Sequence, residues 1–265
     1  MDVVLIAEFL LLGAFVGIMA GLLGIGGGLI VVPALVWLLP QAQVNPDIVM
    51  HLALGTSLAS IILTSGSSAW NHLRLGNVDM FVVKWLLPGV IIGGAAGAFI
   101  ADAIPSAYLG KVFGAIVLML SIQMFVSIKT GKVRPMPGQA KTLVSGSAIG
   151  VISSLAGIGG GSLTVPYLNR YGVEMRRAIG SSSVCGCVLA IAGMTGFIIN
   201  GANAQGLPAY SVGYVYLPAL FGIAATSMLT TKLGARLATS LPTPILKKIF
   251  AVFLLFIAAK MLLPV

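Results

Sequence analysis

The sequence has very little charge. Only 8% of its 265 residues are Asp, Glu, Lys or Arg, whereas 58% are apolar, and the stretches 9–46 and 178–231 contain no charged residue at all. A soluble domain has about a quarter of its residues charged and needs them for its outer surface. Uncharged apolar runs of about 20 residues instead match the hydrocarbon layer of a bilayer. The composition excludes a water-soluble globule and predicts an all-α polytopic membrane protein.

Other absences narrow the function. The only two cysteines, Cys185 and Cys187, lie inside an apolar run, which excludes a disulfide framework and does not fit a zinc site. No catalytic triad, metal-ligand cluster or nucleotide loop is present, so we expect no enzyme activity, no cofactor and no metal. The net charge of +9 comes from residues beside apolar spans, which favours membrane lipid over nucleic acid as a partner.

The sequence does contain an internal repeat. The stretch Gly17–Leu35 aligns with Gly150–Leu168 and is identical at ten of nineteen positions, including all of Gly-Ile-Gly-Gly-Gly and a Val-Pro. Further on, Ala-Leu-Gly-Thr-Ser at 53–57 matches Ala-Ile-Gly-Ser-Ser at 178–182. We therefore divide the chain into a first transmembrane repeat (1–128), a cytoplasmic linker (129–141) and a second transmembrane repeat (142–265).

Each repeat opens with a glycine-rich apolar segment, near 3–39 and 142–169. Three consecutive glycines, followed five residues later by a proline, should interrupt a helix. We therefore predict that each opening segment is a Gly-broken re-entrant or hairpin segment, and that three transmembrane helices follow it. In the two repeats these helices are expected near 48–70, 80–102, 107–128, 178–199, 212–231 and 245–263.

The placement of positive charge supports the hairpin and predicts the topology. If each opening segment enters and returns while the other segments cross, the basic loops fall on one side, which should be cytoplasmic, and both termini fall on the outer side. Each repeat then crosses an odd number of times, so the two repeats have inverted topology, a plan typical of alternating-access transporters. The basic residues grouped in this way are Arg74, Lys84, Lys129, Lys132, Arg134, Lys141, Arg170, Arg176, Arg177, Lys232, Arg236, Lys247 and Lys248.

The two glycine breaks, Gly24–Gly28 and Gly157–Gly161, are the strongest candidate site. A helix that starts inside the membrane has unpaired N–H groups and a partial positive charge at that end, which together bind anions. The alternative is that these glycines only permit close helix packing. Hydroxyls in a block that recurs in both repeats could donate to the same anion or bond their own helix; they are Thr56, Ser57, Ser181, Ser182 and Ser183.

Two other functions stay open at this point. Cys185 and Cys187 could serve a membrane thiol or sulfur-relay protein, although small packing residues explain them as well. Unwound helices also offer carbonyls that bind cations. No Lys or Arg is predicted near the midplane, and Glu8 is the only carboxylate that proton coupling could use.

The motifs resemble those of the TauE/SafE family of sulfite and organosulfonate exporters. They are Gly-Leu-Leu-Gly-Ile-Gly-Gly-Gly with Val-Pro, Ala-Leu-Gly-Thr-Ser, and Leu-Gly-Asn-Val-Asp79. The resemblance implies a secondary transporter of a small sulfur-containing anion in the bacterial inner membrane, and a homodimer is compatible with it. The substrate-binding positions it implies are Gly26, Gly27, Gly28, Thr56, Ser57, Gly159, Gly160, Gly161, Ser181 and Ser182.

This sequence departs from the family pattern in its second half. The second hydroxyl block reads Gly-Ser-Ser-Ser-Val-Cys instead of Gly-Thr-Ser. The second repeat also shows no clear equivalent of Gly-Asn-Val-Asp, and has the polar loop Asn200–Pro208 instead.

Overall fold

A computed structural model of the chain describes residues 3–23, 27–126, 135–240 and 243–263. Nearly all of these residues are helical, and a two-stranded antiparallel hairpin, β1 (Ser211–Val212) and β2 (Val215–Tyr216), precedes the ninth helix. A short 3-10 helix, Leu39–Ala42, follows the second α-helix. The helices of the described residues are α1 (Val3–Leu23), α2 (Gly28–Leu38), α3 (Pro46–Arg74), α4 (Met80–Asp102), α5 (Ser106–Val126), α6 (Gln139–Leu155), α7 (Gly161–Arg170), α8 (Met175–Gly201), α9 (Leu217–Ser240) and α10 (Thr243–Leu262).

The long helices have the length and apolarity of membrane spans. Among the described residues, five helices meet both criteria: α1, α3, α4, α5 and α8. Large apolar side chains on the outside of the bundle remain exposed, such as Leu11 at 70% and Phe256 at 67%. Such a surface is stable against lipid and not against water. The chain is therefore an α-helical protein that crosses the membrane several times.

Both opening segments are interrupted at their glycines. In the second repeat α6 ends at Leu155 and α7 begins at Gly161; in the first, α1 ends at Leu23 and α2 begins at Gly28. The residues that cap α2 and α7, Gly27 and Gly160, have left-handed φ angles of 75° and 30°, which glycine adopts without a steric penalty. We call residues 27–28, the described end of the first glycine break, the first joint, and residues 157–161 the second joint. Residues 24–26 lie outside the described residues.

The helices pair according to one scheme applied twice. The opening helix α1 packs along α9, and its counterpart α6 packs along α4, while α3 pairs with α8 and α5 with α10. In both opening helices, glycines four residues apart face the partner helix; they are Gly13 and Gly17 in α1, and Gly146 and Gly150 in α6. This small-xxx-small spacing lets two helix backbones approach closely inside a membrane.

The connections between helices gather at two ends of the bundle. At the first end, the Met50 amide of α3 donates to Ser106 Oγ of α5 over 3.0 Å. At the second end, the Asp79 amide before α4 donates to Ser181 Oγ of α8 over 2.9 Å. The helices α3, α4, α5, α8 and α9 run between these two ends, and the long connection after α8 lies at the first.

The two opening segments begin and finish at different ends. Phe9 in α1 contacts the ring of Tyr216 at the first end, with 6.1 Å between centroids, and the chain returns there before Asn45. In the second repeat, Tyr171 after α7 lines the same surface cleft as Gln139 at the start of α6. The α1–α2 segment therefore enters and leaves at the first end, and the α6–α7 segment at the second.

At each end of the bundle, a loop backbone packs directly against a glycine of the central α3–α8 pair. A Cβ on Gly55 would collide with the carbonyl of Tyr214, and one on Gly180 with the carbonyl of Asn77. The two received segments, 213–216 and 76–79, lead into α9 and α4, and each begins with a glycine of left-handed φ, 53° and 67° respectively. The expectation that the second repeat lacks a Gly-Asn-Val-Asp equivalent is thus wrong. Gly-Tyr-Val-Tyr takes that place, because the shared property is the backbone conformation and not the side chains.

Candidate functional site

The two glycine joints lie against each other in the middle of the bundle. A Cβ on Gly28 would collide with the carbonyl oxygen of Gly157 and would lie 3.1 Å from the Cα of Ile158. Ser57 Oγ on α3 donates to the same Gly157 carbonyl over 2.7 Å. The joints are also adjacent to Ile61, near the middle of α3. The contact joins segments that are about 130 residues apart in the sequence.

Each joint leads into a helix N-terminus, that of α2 or that of α7, and Ile61 of α3 lies against both Gly28 and Gly159. In α2 the amides of Ile30 and Val31 already donate to the Gly27 carbonyl, over 2.9 and 3.1 Å. In α7 the amides of Leu163 and Thr164 donate to the Gly160 carbonyl in the same manner, over 3.1 and 2.7 Å. The amides before them are the ones that a helix leaves without an internal partner.

These remaining amides differ between the two helices. Within the described residues, Gly28 and Leu29 of α2 and Ser162 of α7 have no recorded backbone acceptor, whereas Gly161 N–H donates to Gly159 O. Each helix end also carries about half a positive charge. The described neighbours of the joint glycines include no charged side chain, so the attraction for an anion comes from dipoles and N–H groups.

The hydroxyls predicted to bind substrate have partners within the protein. Thr56 Oγ1 accepts from the Tyr216 amide over 3.0 Å, and Ser181 Oγ accepts from the Asp79 amide over 2.9 Å. Both bonds hold the segment that leads into a helix of the other repeat. Ser182 Oγ donates to the Ile179 carbonyl of its own helix over 2.8 Å. Thr56 and Ser181 keep their hydroxyl protons available, but their recorded contacts fasten the two repeats together.

The predicted glycines of the joints have different surroundings. Gly26 lies outside the described residues. A Cβ on Gly27 would lie 2.7 Å from Val16 Cγ1, and one on Gly159 would lie 2.6 Å from Ile61 Cγ2. On Gly160 a Cβ would have its nearest neighbour at 3.5 Å, and on Gly161 it would meet nothing within 4 Å. The second joint is therefore open where α7 begins.

The sequence analysis missed a group of buried hydroxyls next to the second joint. Four hydroxyl oxygens there are buried and have no hydrogen-bond partner within the described residues. They are spread over the last turn of α6 and the first turn of α7. The Ser154 hydroxyl lies 3.1 Å from where a Cβ on Gly193 of α8 would lie, away from the joint. We call the other three the hydroxyl cluster: Ser153, Ser162 and Thr164.

A signal for the hydroxyl cluster does exist in the sequence. The aligned positions of the first repeat are all apolar: Ala20, Leu29 and Val31. A search for matched positions passes over these residues, because it is the difference between the repeats that marks them. Buried hydroxyls without partners are rare in folded proteins, so each one calls for a physical explanation.

The cysteines and Glu8 lie outside the contact between the joints. Cys185 is 1% exposed on α8, and Cys187 Sγ lies 3.9 Å from the Ile62 carbonyl of α3. Residues two apart on a helix do not face each other. Glu8 lies in α1 beside Phe9, which contacts Tyr216 at the first end, and its buried Oε2 has no partner in the described part of the chain. The described residues contain no His, Cys, Asp and Glu cluster able to hold a metal ion.

Comparisons with known proteins find relatives among membrane transporters. The family model described as sulfite exporter TauE/SafE matches residues 9–261. A probable membrane transporter protein of Haemophilus influenzae is 43% identical over 255 residues, which cover 96% of this chain and 97% of that protein. One of Methanocaldococcus jannaschii is 29% identical over 239 residues, covering 87% and 88%. Another, YdhB of Bacillus subtilis, is 29% identical over 252 residues, covering 90% and 91%. No solved structure matches the chain significantly.

Proposed function

The chain belongs to the sulfite exporter TauE/SafE family and is a membrane transporter; from this premise we propose that it is a secondary carrier for a small sulfur-containing anion, such as sulfite or a sulfonate, in the bacterial inner membrane. The anion is held by backbone amides and helix dipoles where the two joints meet. No covalent chemistry is needed, because the carrier only binds and releases its substrate.

One observation carries this proposal: Gly28 lies against the Gly157 carbonyl, and Ile61 lies against both Gly28 and Gly159, so the two joints that lead into α2 and α7 meet at one place in the bundle. Helix ends of partial positive charge in a low-dielectric interior attract negative charge. An anion supplies that charge. Partial charges also suit a carrier, since a full cationic partner would slow the release of the anion.

The mechanism we propose is alternating access by two inverted repeats. Supporting it, the α1–α2 segment opens at the first end and the α6–α7 segment at the second, and each packs along a helix of the other repeat. A carrier built in this way exposes its centre to one side and then to the other when one repeat rocks against its partner. The contact between the joints would stay at the centre of the protein both when it is open to one side of the membrane and when it is open to the other.

We assign the second end to the cytoplasm because most of the described basic residues lie there. Arg74, Lys84, Lys141 and Arg170 are at or near that end, whereas Lys111 and Lys260 lie within two turns of the first end. Basic residues that flank short loops are retained on the cytoplasmic side. Both termini are then on the outer side.

The proposal is tested by flux measurements in proteoliposomes. Labelled sulfite, ethanesulfonate and methanesulfonate are each added outside vesicles that contain the purified protein. We expect saturable uptake of one or more of them, competed by the unlabelled anion. If all three enter no faster than into empty vesicles, the assigned substrate class is wrong.

Bulky substitution at the joints tests where the anion binds. Gly160→Leu should abolish flux because its side chain enters the space at the start of α7, and Gly27→Leu should do so because its side chain would displace Val16 and shift the start of α2. Both positions have left-handed φ, so the backbone strain itself requires a control. Gly76→Leu supplies it, since Gly76 has a φ of 67°, no neighbour within 4 Å, and a position at the second end. Normal flux in Gly160→Leu would show that the joint is not the site.

A further inference from the structure

We infer that the two joints are not equivalent in binding, and that the anion is held by the second joint through its hydroxyl cluster while the first joint closes against it as an apolar face. The inference deepens the proposed function and rests on it in one respect, the sulfur chemistry of the ligand. It also assigns the charge of that ligand, which should be a monoanion such as hydrogen sulfite or an organosulfonate.

The first turn of α7 contains two buried hydroxyls without hydrogen-bond partners among the described residues. Thr164 is 0% exposed, its Oγ1 has no partner in the described part of the chain, and it lies 3.5 Å from the position of a Cβ on Gly160. It therefore points at the residue that caps α7. Ser162, in the first turn of α7, also has a buried hydroxyl without a partner. Leaving such a donor unsatisfied costs free energy, which a bound acceptor would recover.

The second step is the space beside these donors. A Cβ on Gly161 meets nothing within 4 Å, and the preceding Gly160 faces Gly186 of α8, which has no side chain to fill the region. Ser65 of α3 contributes a further hydroxyl, 3.3 Å from where a Cβ on Gly159 would lie. The second joint thus combines an open helix end with donors from three separate segments.

The third step is the contrast with the first joint. The positions equivalent to Ser162 and Thr164 are Leu29 and Val31, which are each 2% exposed and apolar. The residue of α3 equivalent to Gly186 is Ile61, and its side chain packs against both Gly28 and Gly159. The first joint therefore offers amides but no hydroxyl, and its helix end is covered.

The charge of the ligand follows from the chemistry of the donors. Hydroxyls and amides are neutral, and no charged side chain is among the described neighbours of the joint glycines. The cost of removing an ion from water rises steeply with its charge, so neutral donors compensate a monoanion far better than a dianion. Three sulfonate oxygens can accept from several donors at once, which matches the number of hydroxyls present.

The test measures ligand-induced shifts in the melting temperature of the detergent-purified protein. The probes are methanesulfonate, sulfite, nitrate and sulfate at equal ionic strength, with gluconate as the salt control. Binding to the folded state raises the melting temperature in proportion to the logarithm of concentration over Kd. For the wild-type protein we expect a shift with methanesulfonate and an apparent Kd for sulfate at least about tenfold weaker.

Three variants locate the site. Thr164→Val removes one hydroxyl with little change in shape and should weaken methanesulfonate binding by about tenfold or more. Thr164→Ser keeps the hydroxyl and should remain close to the wild type. Thr142→Val is the matched control, because Thr142 is equally buried but its hydroxyl donates to backbone carbonyls at the second end; its affinity should not change.

The outcomes separate this inference from the proposed function. If methanesulfonate stabilises the wild type and Thr164→Val equally, the hydroxyl cluster is not the site and the transport proposal survives. If nitrate alone shifts the wild type and Thr164→Val loses that shift, the cluster binds anions but the sulfur assignment fails. If sulfate matches methanesulfonate, the monoanion assignment is overturned. If no probe shifts the wild type, both proposals fall.

Discussion

The first joint is covered by apolar side chains, whereas the second is open at the start of α7 and flanked by hydroxyls. Both have a glycine of left-handed φ as the helix cap, Gly27 and Gly160, and both leave an amide of the following turn without a recorded acceptor in the described residues. The difference lies in the side chains around a common backbone. At equivalent positions the first repeat has Leu29 and Val31 where the second has Ser162 and Thr164.

This comparison separates what the duplicated fold requires from what one binding site requires. The backbone break recurs because both opening helices must turn back inside the bundle, and only glycine adopts the cap conformation without strain. The paired docking at Gly55 and Gly180 recurs because it ties each repeat to the other. A single small ligand, however, needs donors on one side only, so the hydroxyls can be confined to one joint.

The largest expected difference between the joints is the effect of one methyl group on stability. Gly28→Ala places a Cβ against the Gly157 carbonyl and should destabilise the protein by about 1–3 kcal/mol, as overpacking does. Gly161→Ala at the equivalent position meets nothing and should be neutral, or stabilising by about 0.5 kcal/mol through the gain in helix propensity. Thermal unfolding in detergent measures both. Equal losses in the two variants would mean that the second joint is as tightly packed as the first.

Where the repeats are alike, matched variants should instead cost the same. Thr56→Val removes the acceptor of the Tyr216 amide, and Ser181→Ala removes that of the Asp79 amide. Each should lower stability by about 1 kcal/mol, the net contribution of one hydrogen bond. Ser145→Ala is the control, because the Ser145 hydroxyl is exposed and only bonds its own helix at Lys141.

The same pair of variants tests the functional interpretation of these hydroxyls. If Thr56 and Ser181 act only in docking, methanesulfonate affinity in the variants stays that of the wild type while the melting temperature falls. A loss of affinity without a loss of stability would show that both hydroxyls bind the substrate, as the family resemblance implies.

The duplicated architecture could be predicted from the sequence because it depends on patterns that recur. The glycine breaks follow from a repeated motif, and the long apolar helices follow from the thickness of a bilayer. The pairing of α1 with α9 could not be predicted in this way. Gly13 and Gly17 show that some helix approaches closely, but their spacing does not say which one.

The candidate site was predictable only in part, for two physical reasons. The hydroxyls of Thr56 and Ser181 were visible as a match, but a sequence does not show whether a hydroxyl faces a ligand or a backbone amide. The hydroxyls of Ser162 and Thr164 were hidden because they have no match. Aligning the repeats and marking the positions that change from apolar to polar would have found them.

A smaller difference is expected at the two long interfaces between the repeats. Thr226 and Thr230 of α9 donate to the carbonyls of Leu10 and Ala14 on α1, over 2.7 and 2.9 Å. On the other interface Ser147 bonds only its own helix, over 3.1 Å. Thr226→Val and Thr230→Val should each cost about 0.6 kcal/mol, a typical interhelical hydrogen bond in a membrane. Ser147→Ala should leave the melting temperature unchanged. If it lowers the melting temperature as much as the threonine variants do, the two interfaces do not differ in this respect.

The smallest expected effect concerns the cysteines, which occur in the second repeat alone. Cys185→Ser should lower the stability only slightly, because the equivalent position in the first repeat is Ser60, whose hydroxyl donates to the Thr56 carbonyl over 3.0 Å. Cys187 points toward Ile62 of α3, and two residues of spacing prevent it from pairing with Cys185. A double Cys→Ser variant should therefore transport its anion at the wild-type rate.

This last comparison decides between a carrier and a sulfur relay, because a relay needs a thiol in every turnover. Flux is measured in proteoliposomes with and without a membrane-permeant thiol-blocking reagent. If the double variant shows wild-type flux, and the reagent does not change that flux, the cysteines serve only in packing. Loss of flux in the double variant while methanesulfonate still raises its melting temperature would mean that binding is intact but turnover needs a thiol. The relay would then replace the simple carrier, and the asymmetry between the repeats would extend from the joints to α8.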